Sequence, residues 1–151
     1  MIRAIKSGDA DICEAILRSL PDWFGIEESI VRYRREMEQF ETYVAEIGGA
    51  IAGFLTVVQH KPHIAEIHVM AVRPQYHRQG IGRLLVSHIE QLLVERGTDY
   101  LEVKTLGPSG PDEFYGRTRE FYLAMGFAPI EETNLWGAEN PCLIMIKDLR
   151  Q

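Results

Sequence analysis

The passage that most constrains this chain is Gln75-Tyr76-His77-Arg78-Gln79-Gly80-Ile81-Gly82-Arg83-Leu84-Leu85, which leaves an apolar strand and enters a helix through two glycines. Upstream, residues 64 to 72 alternate, with Ala65, Ile67, Val69 and Ala71 on one face and Ile64, Glu66, His68, Met70 and Val72 on the other. Downstream, Leu85, Ile89 and Leu92 recur at helical spacing from about residue 82 until Gly97 stops the helix. A turn of this kind presents unpaired backbone N–H groups and the positive helix end to an anion, and glycine lets a phosphate come close to the backbone. A phosphate-bearing cofactor is implied. The plainer reading is a glycine turn that holds nothing, and a lone Gly-x-Gly deserves it more often than not.

Neighbouring residues argue against two other phosphate-binding folds. Glu102 lies at about the ~20-residue interval at which a dinucleotide fold places its ribose-binding acid. The third glycine of that fingerprint, however, is replaced by Leu85, too bulky for close packing of helix on strand, and the surrounding strands do not repeat βαβ. No Gly-Lys-Ser/Thr follows the glycines, so a P-loop fails as well.

Around this passage the pattern predicts one mixed layer with helices. Residues 2 to 6 alternate as a short strand, and Ser7-Gly8-Asp9 offers capping side chains to a helix that Pro21 follows. Residues near 27 to 39 read as a second helix, with Ile30, Tyr33, Met37 and Phe40 aligned. Residues 42 to 47 and 50 to 59 are strands joined at Gly48-Gly49, a tight hairpin turn. Residues 99 to 106 form another strand. Ser109-Gly110-Pro111-Asp112-Glu113 starts a helix that runs to about Met125 and closes at Gly126. Residues 127 to 131 and 142 to 148 are the last strands. The expected fold is α/β, a mixed and mostly antiparallel sheet of about seven strands flanked by helices in the order βααβββαβαββ. The length of 151 residues suits a single domain, 1–151.

Composition narrows the partners. A formal charge of -6 and a pI near 5.4 argue against nonspecific nucleic-acid binding, which draws its affinity from Lys and Arg. Cys13 and Cys142 stand in apolar contexts and read as buried, reduced thiols. Asp9 and Asp11 come too early for a signal peptide, and no apolar run approaches membrane-spanning length. A cytoplasmic protein that meets neither nucleic acid nor membrane is expected. His60, His63 and His68 lack matching Cys or Asp ligands at convincing spacing, so no metal is expected.

The glycine passage resembles the acyl-CoA pyrophosphate loop of the GCN5-related N-acetyltransferase (GNAT) family, whose pattern is Gln/Arg-x-x-Gly-x-Gly/Ala. Here it reads His77-Arg78-Gln79-Gly80-Ile81-Gly82, with His at the first position. A second element, Phe121-Tyr122-Leu123-Ala124-Met125-Gly126-Phe127, is similar to the family's late helix ending in Gly-Phe. The order of elements from residue 2 to about 148 resembles the family over essentially the whole chain.

The resemblance implies acetyl-CoA as acyl donor, no metal, and transfer of the acetyl group to a primary amine of a small molecule or peptide by direct attack in a ternary complex. It implies that His77, Arg78, Gln79, Gly80, Ile81 and Gly82 meet the pyrophosphate and that Met70, Ala71 and Val72 pair with pantetheine. Tyr122 resembles the family's thiol-protonating Tyr, and a phenol with a reference pKa of about 10 suits donation to a thiolate. The other reading makes it a core aromatic beside Phe121. An amine attacks only when neutral, so a base is sought. Glu66 occupies the strand position from which part of the family draws a carboxylate base. A carboxylate paired with a neighbouring arginine is its other reading, and His68 on the same face competes for the role.

Where family members often carry Asn for the pantetheine arm, this chain has Tyr115, and Thr105, Tyr115 or Arg119 are the candidates to replace it. Arg32, Arg34 and Arg35 stand among Glu27, Glu28, Glu36 and Glu38 as a mixed-charge face, and identify no acceptor. A monomer or homodimer is expected. The alternative function is a noncatalytic acyl-CoA-binding or sensing module.

Overall fold

The computed structural model describes residues 1–109 and 113–150. Its elements are β1 (Ile2–Ala4), α1 (Asp9–Arg18), α2 (Glu27–Gln39), β2 (Glu41–Ile47), β3 (Ala50–Lys61), β4 (Ile64–Val72), α3 (Ile81–Glu95), β5 (Tyr100–Leu106), α4 (Glu113–Ala124), β6 (Ala128–Thr133) and β7 (Cys142–Asp148). This is the order read from the sequence. The expected start of α4 includes residues 110–112, which lie outside the described residues. Seven strands form one mixed sheet in the order β1-β2-β3-β4-β5-β7-β6. Pairing is parallel at β4–β5 and antiparallel at β1–β2, β2–β3, β5–β7 and β6–β7. Two compact units divide the chain, Met1–Val58 with His68–Leu92 and Gln59–Ile67 with Leu93–Gln151.

In the first unit, Gly48 and Gly49 hold φ of 58° and 83°, which lets β2 turn directly into β3 with Ile47 opposite Ala50. The apolar stripes of α1 and α2 then supply a core. Cys13, Ile16 and Leu17 of α1 and Ile30 and Met37 of α2 pack with Val44, Phe54, Val69 and Ala71 from the strands. Each large side chain buried there contributes ~1.5–3 kcal/mol relative to exposure. Burial pushes the Cys13 thiol up to about 12, leaving it a small apolar side chain at neutral pH. On α3 the buried stripe includes Leu85, Val86, Ile89 and Leu93, whereas Leu92 is half-buried. One residue of rotation separates this from the expected stripe.

The start of α1 departs from the side-chain capping expected of Ser7-Gly8-Asp9. Gly8 is the N-cap, at φ 92°, and no side chain caps it. Asp9 instead turns back to accept from Lys6 N–H at 2.9 Å and from Arg3 Nη1 at 2.7 Å, while Arg3 also reaches Glu46. A competing cation on β1 has taken over the acid that would have served the helix.

In the second unit, the parallel ladder runs from Ile64 opposite Tyr100 to Ile67 opposite Val103. Strand β5 alternates, with Leu101, Val103 and Thr105 buried, and pairs along its whole length with β7. Helix α4 ends where Gly126 takes φ 97°, and Phe127 N–H bonds back to Tyr122 O. Strand β6 forms one end of the sheet and is exposed over most of its length. Among the described residues no helix is long and apolar enough to cross a membrane.

The Asp9 contacts carry a testable stability term. The Arg3 hydrogen bond, helped by the Lys6 N–H, holds this carboxyl below the usual range against the opposing effect of burial. A depressed folded value means that the stabilisation is complete above the unfolded value and fades as pH falls through the folded one. Asp9→Asn should cost ~1–2 kcal/mol at pH 7, read as a shifted urea midpoint. The gap between the two proteins should close in acid, and a gap that persists there would trace the loss to packing instead.

Candidate functional site

The first unit holds the glycine passage. Strand β4 ends at Val72, and Arg73 fastens the exit to β3, its N–H bonding Ala52 O at 2.8 Å and its Nε bonding Ile51 O at 2.7 Å. A 3-10 turn over Pro74–Tyr76 follows. His77 then folds back so that Nε2 lies 2.7 Å from Val72 O, the N–H tautomer donating, and its ring meets Trp23 edge-on at 5.9 Å. Gln79 Nε2 donates to Gln75 O at 3.0 Å. The expected pyrophosphate residue His77 is therefore a brace across its own loop.

Next, Arg78 and Gly80 take left-handed backbone, φ 62° and 81°. For Gly80 this is free, and a Cβ there would have no heavy atom within 4 Å. For Arg78 it is strained, of order ~1 kcal/mol for a residue with a Cβ. The turn delivers the chain into α3, whose first intrahelical bond is Leu84 N–H to Gly80 O at 3.0 Å. Among the described residues none accepts from the N–H groups of Ile81, Gly82 or Arg83. Open donors, a positive helix end and no side chain on Gly80 fit an anionic phosphate. Of the three strand residues expected to meet pantetheine, Ala71 is buried and Met70 and Val72 are half-buried.

The second unit holds Glu66. Its side chain is buried, with 8% of the residue exposed. Oε1 lies 2.6 Å from His60 Nε2, and Oε2 accepts from Lys104 Nζ at 2.9 Å. Lys104 also donates to Glu102 at 2.7 Å. The parallel register sets Glu66 directly opposite Glu102, so the ammonium stands between two like charges that would otherwise repel. Burial alone would lower the Lys104 pKa, but its hydrogen bonds to Glu102 and Glu66 raise it overall. The partner of Glu66 is thus a lysine, with a histidine, and not the arginine that sequence reading offered. A lysine two residues beyond Glu102 on the same strand face was the available signal.

His68 lies in the first unit in other company. Its Nε2 is 3.0 Å from Glu36 Oε1, and Tyr33 and Phe40 stand edge-on at 5.5 and 5.8 Å. His63 serves through its backbone oxygen, which accepts from Asp99 and Tyr100 N–H. No cluster of three His, Cys, Asp or Glu that could hold a metal occurs among the described residues.

Tyr122, in the second unit, is 5% exposed between Phe121 and Phe127, with ring centroids at 5.2 and 5.3 Å. Burial raises its phenol pKa, further from neutrality than that of a free tyrosine. Of the three candidates to replace the usual Asn, Arg119 Nη1 donates to Leu106 O at 2.6 Å and Tyr115 is half-buried, with contacts of its own. Thr105 is buried, and its hydroxyl has no hydrogen-bond partner among the described residues.

Known proteins resemble this chain in family and in fold. The chain belongs to the Acetyltransferase (GNAT) family, which residues 10–127 match. An uncharacterized N-acetyltransferase of Chlorobaculum tepidum is 31% identical over 105 residues, covering 70% of this chain. The match spans 57% of that relative's length. Among solved structures, a GNAT-family protein from Desulfovibrio desulfuricans superposes with a TM-score of 0.87 at 17% identity, covering 99% of each chain. A Salmonella typhimurium protein solved with acetyl-CoA as its cofactor superposes with a TM-score of 0.76 at 14% identity, covering 100% of this chain and 94% of that one. At these identities the solved structures speak for the fold.

The charge cluster predicts a cost for removing its cation. Lys104→Met should destabilise the protein by ~2–4 kcal/mol, because two carboxylates would lose the ammonium between them. Denaturant unfolding measures this. A change below ~0.5 kcal/mol would mean that solvent already screens the pair.

Proposed function

We propose that the protein is an acetyl-CoA-dependent N-acetyltransferase acting in the cytoplasm, one functional domain over 1–151, as monomer or homodimer. The observation that carries the reading is the start of α3, where left-handed Arg78 and Gly80 leave the N–H groups of Ile81 to Arg83 without acceptors. The family and the relative solved with acetyl-CoA support it.

In this reading the main chain from His77 to Gly82 holds the pyrophosphate, and Met70 to Val72 offer backbone groups to the pantetheine arm. Acetyl-CoA supplies a thioester, so that a nitrogen–carbon bond to the acceptor forms as the carbon–sulfur bond breaks. Tyr122, a phenol and so protonated at neutral pH, gives its proton to the leaving sulfur. Glu66 takes the proton that the attacking ammonium must lose, and Lys104 holds that carboxylate in place. His68 is the competing base. The acceptor is a primary amine of a small molecule or a peptide.

Calorimetry should find acetyl-CoA binding at about micromolar affinity, the order of ordinary enzyme KM values. Absence of any heat with acetyl-CoA or CoA would overturn the reading. Gly80→Val, forced into left-handed backbone, should lose at least about tenfold in affinity while remaining folded.

Catalysis is tested separately, by free-thiol release with a panel of amines. Tyr122→Phe should lower turnover and leave acetyl-CoA affinity intact. Glu66→Gln should lose ~10–100-fold in the chemical step, near the lower end of general-base contributions. If only His68→Gln shows that loss, the base is His68. Tight acetyl-CoA binding with no thiol release for any amine would instead make the chain a noncatalytic acyl-CoA-binding module.

A further inference from the structure

We propose that Lys104 is a modification site, an internal acceptor onto whose Nζ the protein transfers an acetyl group from acetyl-CoA. The inference rests on the acetyltransferase reading and adds a covalent product to it. It starts from a geometric requirement. A base removes a proton only from a group within hydrogen-bond reach, about 2.6–3.2 Å. Any amine that Glu66 is to deprotonate must therefore bring its nitrogen that close to the carboxylate. In the folded chain an amine already stands there, for Lys104 Nζ donates to Glu66 Oε2 at 2.9 Å. The other oxygen lies 2.6 Å from His60 Nε2. Both oxygens are thus engaged before any acceptor arrives, and one of them by a primary amine.

The backbone sets this amine at a particular point. The parallel ladder of β4 and β5 ends with Ile67 opposite Val103, so Lys104 is the first residue of β5 past it. Along β5, Leu101, Val103 and Thr105 are buried, while Glu102 and Lys104 are half-buried on the opposite face. The Lys104 side chain keeps 23% of its exposure, which shields it from a second protein molecule and leaves room for a small reagent. Lys6 and Lys61, by contrast, are exposed.

The chemistry begins with a proton leaving Nζ. Lysine is an ammonium at neutral pH, and although burial lowers the Lys104 pKa, its hydrogen bonds to Glu102 and Glu66 raise it by more. Glu66 takes that proton. The freed electron pair on nitrogen forms a bond to the acetyl carbon, the carbon–sulfur bond breaks with its pair to sulfur, and the second proton lost by nitrogen ends on the thiolate. The products are N-acetyl-Lys104, the CoA thiol and one proton on Glu66, which returns to solvent. A held ammonium is a poor nucleophile, and the encounter within one molecule offsets that handicap. The event occurs once per chain. It removes the positive charge between Glu66 and Glu102.

Purified protein whose Lys104 peptide is unmodified should be incubated with acetyl-CoA and no acceptor, then digested and read by peptide mass. Lys104 should gain one acetyl group ahead of every other lysine. A parallel sample treated with the N-hydroxysuccinimide ester of acetic acid, which needs no site, should label Lys6 and Lys61 ahead of Lys104. At saturating acetyl-CoA the first-order rate at Lys104 should not change when the protein is diluted. Glu66→Gln should slow this labelling at least about tenfold with acetyl-CoA affinity intact. Glu102→Gln, which loosens the ammonium but leaves the base, should label at least as fast as wild type. Freed of donor, the acetylated protein should melt about 5 °C or more below the unmodified one, because two carboxylates have lost their shared cation.

Labelling led by Lys6 or Lys61 with both reagents would overturn the inference. So would a rate that falls on dilution, which marks transfer between copies, or equal losses in the Glu66 and Glu102 variants, which mark an indirect effect. Protein acetylated at Lys104 that melts like the unmodified form would remove the premise that this ammonium joins the two carboxylates. Protein that binds acetyl-CoA and acetylates added amines but leaves Lys104 unlabelled would sink this inference alone. Protein that binds no acetyl-CoA would sink the acetyltransferase reading, and the inference with it.

Discussion

A helix cannot satisfy the N–H groups of its own first turn, and the chain ahead of α3 is shaped so that no other described group satisfies them. Much of the first unit serves to hold that helix start in place. Leu85, Val86 and Ile89 are buried, which anchors the body of the helix. Arg73 ties the exit of β4 to the carbonyls of Ile51 and Ala52 on β3. Between these two anchors the chain must reverse within a few residues, and Arg78 and Gly80 do so by left-handed backbone. The strain at Arg78 is tolerated because both ends of the turn are fastened. Electrostatic preference for an anion follows from geometry, in a protein whose net charge is -6.

The second unit is governed by a different constraint, the register of two parallel strands. Pairing Ile64 with Tyr100 and Ile67 with Val103 forces Glu66 to face Glu102. Lys104 neutralises one charge of the two and contacts both carboxylates, and His60 takes the remaining oxygen of Glu66. A carboxylate held on both sides has one orientation, which a base working on a positioned substrate requires. The same holding makes it a structural pair, and the two descriptions are compatible.

Much of the fold was legible because long periodic segments dominate it. The bounds of α2, β4 and β7 follow from apolar spacing at 3.6 or 2 residues, and Gly48-Gly49 marked the hairpin. Details that depend on distant partners were not legible. Ser7-Gly8-Asp9 was expected to offer a capping side chain to α1, but Arg3 on β1 draws Asp9 away, an interaction that exists only once β1 and the helix start are adjacent. An arginine was expected beside Glu66, but the strand register supplies Lys104, 38 residues away in sequence. The orphaned hydroxyl of Thr105 could not be read at all, since lacking a partner is a property of the packed environment. What the His77 side chain does could not be read from the sequence, and only the folded loop shows its ring turned inward onto Val72 O.

That inward turn changes what kind of binding surface the loop is. His77 and Gln79 spend their side chains on the carbonyls of Val72 and Gln75, so both ends of the reversal are stitched by bonds internal to the segment. A surface loop that has to be ordered by its ligand charges that ordering against affinity. Here the conformational freedom is surrendered during folding, so an anion that arrived would meet donors already aimed. The corollary concerns selectivity: a cradle of stiff backbone amides recognises the spacing of charged oxygens and is indifferent to what they are attached to, so discrimination among ligands that share a diphosphate has to come from the rest of the molecule.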